Sequence, residues 1–540
     1  MRSTMQDTPL TIGRLVAHGT TFHGTSTVST WTGEGFRTAT YAELGRRAAR
    51  LANALRSLGI DGDQRVATFM WNNQEHLEAY LAVPGMGAVL HTLNIRLFPE
   101  QVTYVANHAE DRIVICDGSL VGLLARVLDT FETVEHVLVV GDDDWSELEG
   151  KGAQLHRYEA LLDAADDAFE WVNDIDENDA AAMCYTSGTT GNPKGVAYSH
   201  RSMTLHSMAG AMGDAMGLKP TDSVLTIVPQ FHAMAWGLPY AAMMVGASLV
   251  MPDRHLQPEP LLEMMLEARP TFAGAVPTIW QGLLPLLDER EADISFLSEV
   301  IVGGSACPES LMRAFEERHG VRLIHAWGMT ETSPLGSVAR PPVGTGDPWS
   351  FRITQGRFMA AVEPRLVGED GSELPLDGES VGELEVRGPW IAAAYYADDD
   401  PEKFHDGWLR TGDVGRITAG GYLTLTDRSK DVIKSGGEWI SSVDLENALM
   451  AHPAVAEAAV VGIPDEKWGE RPLASVVVRD GEDVSVEDLR DFLADRIPKW
   501  QLPDSWAFID EVPKTSVGKF DKKVLRQRYA EEELEVVRAG

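Results

Sequence analysis

One stretch of the sequence combines residue types that can hold phosphate groups. It reads Tyr-Thr-Ser-Gly-Thr-Thr-Gly-Asn-Pro-Lys-Gly over residues 185–195 and follows the apolar residues 180–185, which predict a short buried strand. Glycine lets successive backbone N–H groups converge on one point, and such a nest binds phosphate oxygens. The stretch is not a Walker A loop, because Gly191 precedes Asn192 rather than a lysine and a hydroxyl residue. We predict a triphosphate-binding loop of another type, with a Gly/Ser/Thr linker as the alternative.

Four further motifs follow this loop along the chain. They read Trp-Gly-Met-Thr-Glu at 327–331, Arg-Thr-Gly-Asp at 410–413, Asp-Arg-Ser-Lys-Asp at 427–431 and Pro-Lys-Thr-Ser-Val-Gly-Lys at 513–519. The five motifs and their order resemble those of the adenylate-forming acyl-CoA synthetases, a superfamily that also contains luciferases and peptide-synthetase adenylation domains. The resemblance covers nearly the whole chain and is strongest to bacterial medium- and long-chain fatty acyl-CoA synthetases.

The resemblance implies a site for ATP and Mg²⁺. Glu331 and Thr186 are the implied Mg²⁺ ligands, and this hard ion prefers oxygen donors. Asp413 suits a ribose, because a carboxylate can accept hydrogen bonds from both hydroxyls. Trp327 stands where the family usually has tyrosine, so its ring can stack on adenine but the phenol hydroxyl is lost. The implied ATP- and AMP-binding residues are Thr186, Ser187, Gly188, Thr189, Thr190, Gly191, Lys194, Gly304, His325, Ala326, Trp327, Gly328, Thr330, Asp413, Arg428, Lys430 and Lys434.

Two residues are implied to act on the reacting carboxylate. Lys519 matches the lysine that bridges the substrate carboxylate and the α-phosphate in the family, and Pro513 and Gly518 frame it as a projecting loop. His232 matches a position beside the carboxylate and is expected to position it; a satisfied structural histidine is the alternative. The sequence therefore predicts that both side chains reach the nucleotide site.

An apolar pocket for the acyl chain is predicted around the segments 229–236 and 274–278. Their apolar and small residues suit a hydrophobic tail. Trp236 resembles the gate of an acyl tunnel in long-chain fatty acyl-CoA synthetases, with core packing as the alternative. His232, Val276 and Pro277 complete the predicted pocket.

The tail of the chain is expected to carry the coenzyme A side of the site. Gly436, Gly437 and Trp439 belong to the segment that is most similar to the fatty acyl-CoA synthetases, and the glycine pair would let the pantetheine arm pass close to the backbone. Lys430 is the implied hinge about which the tail swings. Lys434 is equally consistent with an exposed cation.

These residues predict an ATP-dependent acid–thiol ligase. A hydrophobic carboxylic acid, with a medium- or long-chain fatty acid favoured, would be activated as acyl-AMP and then transferred to coenzyme A. One alternative is a fatty-acyl-AMP ligase that loads a carrier protein, and another is a catalytically silent nucleotide- or acyl-binding protein. The acyl chain length stays open.

Composition excludes several other classes of protein. The 46 Lys and Arg against 82 Asp and Glu give a net charge of −36, which argues against nucleic acid or an anionic membrane as a partner. Three scattered cysteines without metal spacing indicate a reducing cytosol rather than a disulfide framework. The longest apolar run, 240–251, is too short to span a bilayer, and residues 1–7 lack the apolar core of a signal peptide. We expect a cytoplasmic protein, with a homodimer through the N-terminal domain left open.

The elements that must position the site alternate between short apolar strands and amphipathic helices, as in an open α/β sheet. After residue 382 the strands alternate apolar and polar residues, which is typical of half-exposed antiparallel pairs. At 540 residues the chain should form two or more domains. We predict an α/β fold with an N-terminal domain over 1–428, built of mixed and parallel sheets flanked by helices plus a small β-barrel-like part. A small mobile α+β domain is predicted over 429–540.

Overall fold

The computed structural model describes residues 1–186, 192–436, 438–515 and 519–538, with the backbone alone at 438 and 439. The strands are β1 (Thr27–Trp31), β2 (Phe36–Thr40), β3 (Arg65–Phe69), β4 (Val89–Thr92), β5 (Asp111–Asp117), β6 (His136–Val140), β7 (Gln154–Arg157), β8 (Ala180–Tyr185), β9 (Gly195–Ser199), β10 (Ser223–Thr226), β11 (Ser248–Met251), β12 (Phe272–Ala275), β13 (Glu299–Val302), β14 (Arg322–Trp327), β15 (Ser337–Val338), β16 (Gly356–Phe358), β17 (Glu363–Val367), β18 (Glu373–Leu374), β19 (Gly382–Arg387), β20 (Phe404–His405), β21 (Trp408–Ile417), β22 (Tyr422–Arg428), β23 (Ile433–Ser435), β24 (Glu438–Ile440), β25 (Val455–Asp465), β26 (Gly469–Val478), β27 (Ser505–Phe508) and β28 (Val536–Arg538). The α-helices are α1 (Ile12–Phe22), α2 (Tyr41–Ser57), α3 (Gln74–Gly85), α4 (Pro99–Ala109), α5 (Val121–Leu124), α6 (Tyr158–Asp163), α7 (His200–Ala211), α8 (Leu238–Val245), α9 (Pro258–Ala268), α10 (Pro277–Arg290), α11 (Glu309–His319), α12 (Trp349–Arg352), α13 (Ser442–Met450), α14 (Val486–Ala494) and α15 (Lys522–Ala530).

The strands form three sheets. The first has the order β7-β6-β5-β3-β4-β8-β9 and is parallel except for β9. The second begins with the antiparallel strands β18-β17-β19-β21-β22-β16-β15 and continues through β14 into the parallel strands β13, β12, β10, β11 and β1, with β2 at its edge. The third, in the tail, has the order β24-β23-β26-β27-β28, with β25 paired to β26. The sequence-based α/β fold class is confirmed.

The second sheet decides where the predicted site segments meet. Strands β10, β12, β13 and β14 are hydrogen-bonded in parallel, so their carboxyl ends share one edge. Ligands of open α/β sheets bind outside this edge. The segments that leave it are 227–236, 276–278, 303–305 and 328–331.

The antiparallel strands are joined to the parallel strands in one continuous sheet. Strand β15 pairs with β14 at Ala326 and Trp327, so the antiparallel strands extend the parallel sheet. This pairing carries the strand pair β21–β22 towards the same edge as the parallel strands. Two motifs, 410–413 and 427–431, are thereby brought beside the motif at 327–331.

The tail has its own hydrophobic core between its sheet and helices α13 and α14. It contacts the preceding strand through α13, where the Ser442 N–H donates to Asp427 Oδ2 over 2.9 Å. Strand β22 ends at Arg428 and the next strand, β23, belongs to the third sheet. The division into domains at residue 428 and the mobility of the tail stay predictions.

Local sequence signals correspond to local structure elsewhere in the chain. Thr40 and Glu43 form a capping box at the start of α2, in which Thr40 Oγ1 accepts the Glu43 N–H over 3.2 Å and Glu43 Oε2 accepts the Thr40 N–H over 2.8 Å. The apolar run 240–251 divides between α8 and β11. Across the described ranges, no helix combines the length and the apolar character that crossing a membrane requires.

Candidate active site

Two cavities meet at the carboxyl edge of the parallel strands. The first has a volume of about 360 Å³ and the second, between the second sheet and the tail, about 420 Å³. The residues that line both are Gly304, Ala326, Trp327, Gly328, Arg428 and Lys519. The motifs that are scattered over the sequence therefore converge on one place.

The described ends of the predicted phosphate loop, Thr186, Asn192 and Lys194, line the first cavity. The base of the loop is closed by two hydrogen bonds, from the Thr186 N–H to the Lys194 carbonyl over 2.9 Å and from the Lys194 N–H to Thr186 Oγ1 over 3.1 Å. The Lys194 ammonium forms an ion pair with Asp398, and this hydrogen bond raises the pKa of Lys194. The predicted residues Ser187, Gly188, Thr189, Thr190 and Gly191 lie outside the described residues.

Glu331 is a buried carboxylate at the wall of the first cavity. Its Oε1 accepts the Tyr395 hydroxyl over 2.5 Å, while the neighbouring Thr330 carbonyl accepts the Tyr198 hydroxyl over 2.8 Å. The turn before it requires glycine, because a Cβ on Gly328 would lie 1.3 Å from the Pro334 carbonyl oxygen. The segment 328–331 is therefore held rigidly against the cavity.

The oxygen atoms of Glu331 and Thr186 suit a Mg²⁺ ion, because both residues line the same cavity. Among residues 1–186, 192–436, 438–515 and 519–538, no group of three or more His, Cys, Asp or Glu side chains could hold a metal. Mg²⁺ commonly takes one or two carboxylates and completes its shell with water and substrate phosphates. The two predicted ligands thus fit this ion.

The second cavity contains the predicted nucleoside-binding residues. Gly304, with φ +82°, lies two residues after the end of β13. It lines the second cavity together with His325 and Ala326. Asp413 is buried and accepts the Trp327 indole N–H at Oδ2 over 2.8 Å, with Arg428 Nε 3.5 Å from Oδ1. Trp327 therefore does more than offer a ring face, because it also contacts the carboxylate that suits a ribose.

His325 and Lys430 also line the second cavity. Burial lowers the pKa of His325 to about 4, so its imidazole is neutral near pH 7. Lys430 lies at the junction between β22 and the tail, two residues after the end of the strand. Its position is compatible with both predicted roles, nucleotide binding and the hinge, and both stay predictions.

Lys519 reaches both cavities from the tail. Its N–H donates to Thr515 Oγ1 over 3.2 Å and its carbonyl accepts the Thr515 N–H over 2.7 Å, which closes the base of its loop. Burial, and to a smaller extent the positive charge of Arg428, lower the pKa of Lys519 to about 8, although the carboxylates of Asp413 and Glu331 oppose that shift. The ammonium is thus a partly desolvated cation that faces two carboxylates.

The remaining wall of the first cavity is largely apolar. It is lined by His206, Gly210, Met216, His232, Ala233, Trp236, Ile301, Pro334, Leu335 and Val338. Burial, together with the nearby charges of Lys519 and Arg96, lowers the pKa of His232 to about 3. The His232 imidazole is therefore neutral, which suits the predicted positioning role and not that of a cation.

Trp236 lies across the glycines that end β13. Its Cη2 is 3.5 Å from the place where a Cβ on Gly303 would stand, and its Cζ2 is 3.8 Å from the corresponding place on Gly304. Val276 packs against Gly304 in the same way, with Cγ1 at 3.3 Å. Pro277, predicted for the acyl pocket, lines the second cavity instead, because it begins α10 on the nucleotide side of Gly304.

The backbone that carries Trp236 has an unusual conformation. Residues 233–237 form a left-handed turn, with φ between +43° and +56° at Ala233, Met234, Ala235 and Trp236 and +71° at Gly237. For non-glycine residues this region costs roughly 1–2 kcal/mol each. Strain of this kind is concentrated at functional sites, and here it directs the indole towards the cavity.

Lys434, predicted to bind the nucleotide, and Gly436, predicted for the coenzyme A side, line neither cavity in this structure. Lys434 is on the surface with Nζ 3.4 Å from Glu369 Oε1, and Gly436, with φ +62°, turns between β23 and β24. Gly437 and the side chain of Trp439 lie outside the described residues. Their assigned roles stay predictions.

Several residues of the site were not predicted from the sequence. Tyr395 contacts Glu331 across 64 positions of the chain, and Asp398 contacts Lys194 across 204. His206 lines the apolar wall from helix α7, and Lys403 lines the same cavity with its Nζ 3.3 Å from the Thr411 carbonyl. No motif or spacing joined these residues to the site, although the pair Tyr395-Tyr396 before three aspartates is a local signal that merited attention.

Comparison with known proteins agrees with this geometry. Residues 20–396 match the family described as AMP-binding enzyme, and residues 444–519 match the AMP-binding enzyme C-terminal domain. The crystal structure of the anthranilate CoA ligase AuaEII in complex with anthranoyl-AMP has a TM-score of 0.89, covering 99% of this chain and 100% of that one. Because the identity is 24%, this likeness shows the fold alone.

Curated relatives match over nearly their full length. A 3-methylmercaptopropionyl-CoA ligase of Ruegeria lacuscaerulensis is 43% identical, covering 98% of this chain and 99% of its own. A medium-chain-fatty-acid–CoA ligase of Ectopseudomonas oleovorans is 42% identical (98% of each chain), and a long-chain-fatty-acid–CoA ligase of Thermus thermophilus is 44% identical (98% and 97%). The sequence motifs, the converging cavities and these matches lead to one conclusion: the chain belongs to the AMP-binding enzyme family.

Proposed function

We propose that the protein is an AMP-forming acid–CoA ligase that acts on a hydrophobic carboxylic acid. The observation that carries the proposal is the position of Lys519. It lines both the apolar cavity, which Thr186 and Lys194 also line, and the cavity that Asp413 lines. A cation at this junction can contact a carboxylate from one side and the α-phosphate of ATP from the other.

In the first step, a carboxylate oxygen of the acid attacks the α-phosphorus of ATP. The bond from that phosphorus to the bridging oxygen breaks, so that pyrophosphate leaves and acyl-AMP remains. Lys519 stabilises the negative charge that develops on the reacting oxygens, and a preorganised cation in a partly desolvated site does so strongly. Mg²⁺ held by Glu331 and Thr186 would supply further neutralisation of phosphate charge.

In the second step, the thiolate of coenzyme A attacks the acyl carbonyl carbon. The carbon–oxygen bond to AMP breaks, the thioester forms and the thiol proton passes to solvent. Lys519 fills the junction of the two cavities and must be withdrawn before a thiol can approach from the tail side. Rotation of the tail about Lys430, with the 436–437 turn brought to the site, is the proposed means.

The apolar wall supports a hydrophobic acid. Met216, Ile301, Leu335 and Val338 offer hydrocarbon surface, and His232 is neutral, so no charged side chain among these opposes a hydrocarbon tail. Medium- and long-chain fatty acids are the first candidates, in keeping with two of the relatives. A short thioether acid is the second candidate, favoured by the 3-methylmercaptopropionyl-CoA ligase at 43% identity.

The decisive experiment measures pyrophosphate release from ATP and acid, with and without coenzyme A. A CoA ligase releases pyrophosphate with acid alone in a burst and turns over continuously once coenzyme A is added, with acyl-CoA as the product. Release that continues only with a phosphopantetheine carrier protein would indicate the carrier-loading alternative. No release with any acid, together with measurable ATP binding, would identify a silent binding protein.

The class of acid is tested by comparing kcat/KM over a panel. The panel contains alkanoates of 4 to 16 carbons and 3-(methylthio)propanoate, measured on the wild type and on Trp236→Ala. We expect the variant to shift the preferred chain length while the KM for ATP changes little, because Trp236 lines the apolar wall. An unchanged profile with a lower melting temperature would show that the indole serves only packing.

A further inference from the structure

We infer that Trp327 is a positioning residue for the ribose contact and acts through the carboxylate of Asp413. The inference rests on the proposed function, since it concerns how that enzyme holds ATP. A ring that only stacks on a base contributes through its face. Here the edge of the Trp327 ring carries an N–H that donates a hydrogen bond to the buried carboxylate of Asp413.

The geometry fixes one oxygen of Asp413. The indole Nε1–H donates to Oδ2 over 2.8 Å, and Asp413 is itself held by its backbone N–H, which donates to Thr411 Oγ1 over 3.0 Å. A hydrogen bond to a buried carboxylate is stronger than one between neutral groups. The Oδ2 atom is therefore anchored by the indole, and Asp413, which lines the second cavity, has Oδ1 left for a ligand.

Without the indole, Asp413 has a competing partner. Arg428 Nε stands 3.5 Å from Oδ1, a distance that a small rotation of the carboxylate would shorten into a close ion pair. Arg428 is about half exposed and lies on the last residue of β22, so its side chain has room to follow. The indole N–H opposes that rotation. It keeps the carboxylate oriented for a pair of ribose hydroxyls.

The indole is itself fixed by its surroundings. A Cβ on Gly336 would lie 2.3 Å from Cε3 and from Cζ3 of Trp327, and Phe358 meets the ring edge-on at 6.0 Å between centroids. The ring has little freedom to turn, so the direction of the N–H is set by the fold. A phenyl ring at this position would have no donor at the place where Asp413 accepts the indole N–H.

The test compares ATP with 2′-deoxy-ATP and 3′-deoxy-ATP in acid-dependent pyrophosphate release by the full-length protein. In the wild type, removal of a ribose hydroxyl should lower kcat/KM, because Asp413 loses a partner. In Trp327→Phe we expect this discrimination to shrink about tenfold, since a mispositioned carboxylate gains little from the hydroxyl. The KM for the acid should be unaltered.

Two comparisons separate positioning from packing. The free-energy changes calculated from kcat/KM for ATP should be far from additive when Trp327→Phe and Asp413→Asn are combined, because the indole acts through Asp413. Trp506→Phe removes another buried indole N–H, which donates to the Pro503 carbonyl over 3.2 Å in the tail, and should leave the discrimination unchanged. If Trp327→Phe does not fold, Trp327→Leu removes the same donor and carries the same test.

An unaltered ratio between ATP and the deoxy nucleotides in Trp327→Phe or Trp327→Leu would overturn the inference, as would losses that multiply in the double variant. Either result would leave Trp327 as a stacking or packing residue. A wild-type protein that releases no pyrophosphate from ATP with any acid would instead contradict the proposed function, so the two failures are distinguishable.

Discussion

Two lysines from the sequence motifs line the same cavity, but their pKa values are shifted in opposite directions. Lys194 stands beside the phosphate loop in an ion pair with Asp398, and that contact raises its pKa. Lys519 arrives from the tail, and burial lowers its pKa to about 8. The charge of Lys194 is largely satisfied before a ligand binds, whereas that of Lys519 is desolvated and not fully compensated.

The difference indicates how much free energy of interaction each cation can gain when an anionic substrate binds. A desolvated ammonium gains strongly when an anion arrives, because its electrostatic interactions are weakly screened. A cation that must first break its ion pair with a carboxylate gains only the difference between its interaction free energies with the carboxylate and with the substrate. Lys519 also belongs to the tail, whereas Lys194 belongs to the part of the chain that forms the first and second sheets. The comparison therefore predicts different magnitudes for the two, and only Lys519 should be sensitive to tail movement.

The largest effect is expected for Lys519→Ala. Removing a preorganised charge from the reacting atoms typically costs about 10²–10³ in rate, so pyrophosphate release should fall by that factor. Thioester formation from pre-made acyl-AMP and coenzyme A should be spared. Lys514→Ala, on the same loop and paired with Glu457, is the matched control and should behave as the wild type. Equal losses in both half-reactions would remove Lys519 from its assigned role.

Lys430→Pro tests whether Lys519 must move while Lys194 stays. Proline locks φ near −65° and restricts the preceding residue, and forcing it into an incompatible backbone costs about 3 kcal/mol, or about 10² in rate. We expect acyl transfer to coenzyme A to fall by that order and pyrophosphate release to persist. Lys430→Ala controls for the lost side chain. Equal rates of acyl-CoA formation in the two variants would mean that rotation at this residue is not required.

Glu331→Gln should weaken the binding of Mg²⁺ in the cavity that both lysines line. A neutral amide is a poorer ligand for a hard dication, and loss of a metal-site group typically costs about 10–100-fold in affinity or activity. The Mg²⁺ concentration at half-maximal pyrophosphate release should rise, with the melting temperature within a few degrees of the wild type. A wild-type Mg²⁺ titration would exclude Glu331 as a ligand.

The pH dependence of the first step should report Lys519 rather than Lys194. A lysine with a pKa of about 8 loses its charge as the pH rises through that value, so kcat/KM for ATP should fall about tenfold for each further unit. Lys519→Arg should abolish this decline, because guanidinium stays charged. A decline of the same shape in the arginine variant would assign the titration to another group.

The smallest effect is expected at the Lys194–Asp398 pair. Exposed ion pairs contribute about 0.2–1 kcal/mol, so Asp398→Asn should change the KM for ATP less than about fivefold. The change should be a decrease, because Lys194 no longer has to leave a carboxylate. Lys194→Ala should raise the KM in the same assay. An increase of KM in Asp398→Asn would mean that the aspartate orients the lysine for the nucleotide.

Much of the fold was predictable because its signals are local. Strand β8 coincides with the predicted buried strand 180–185, and the antiparallel pairs predicted after residue 382 are formed by β19, β21 and β22. The pairing of β15 with β14 could not be predicted, because it joins segments whose contact no local pattern specifies.

The sequence by itself determined the five motifs, their order and the residue types that can bind phosphate, ribose and a hard cation. Only the tertiary structure decided which groups those residues meet. Trp327 donates to Asp413 across 86 positions, and Glu331 accepts from Tyr395 across 64. Four consecutive left-handed residues direct Trp236, although none of them is glycine. Motif chemistry is a property of residue type and spacing, whereas hydrogen-bond partners, burial and the pKa of Lys519 arise from contacts between distant segments.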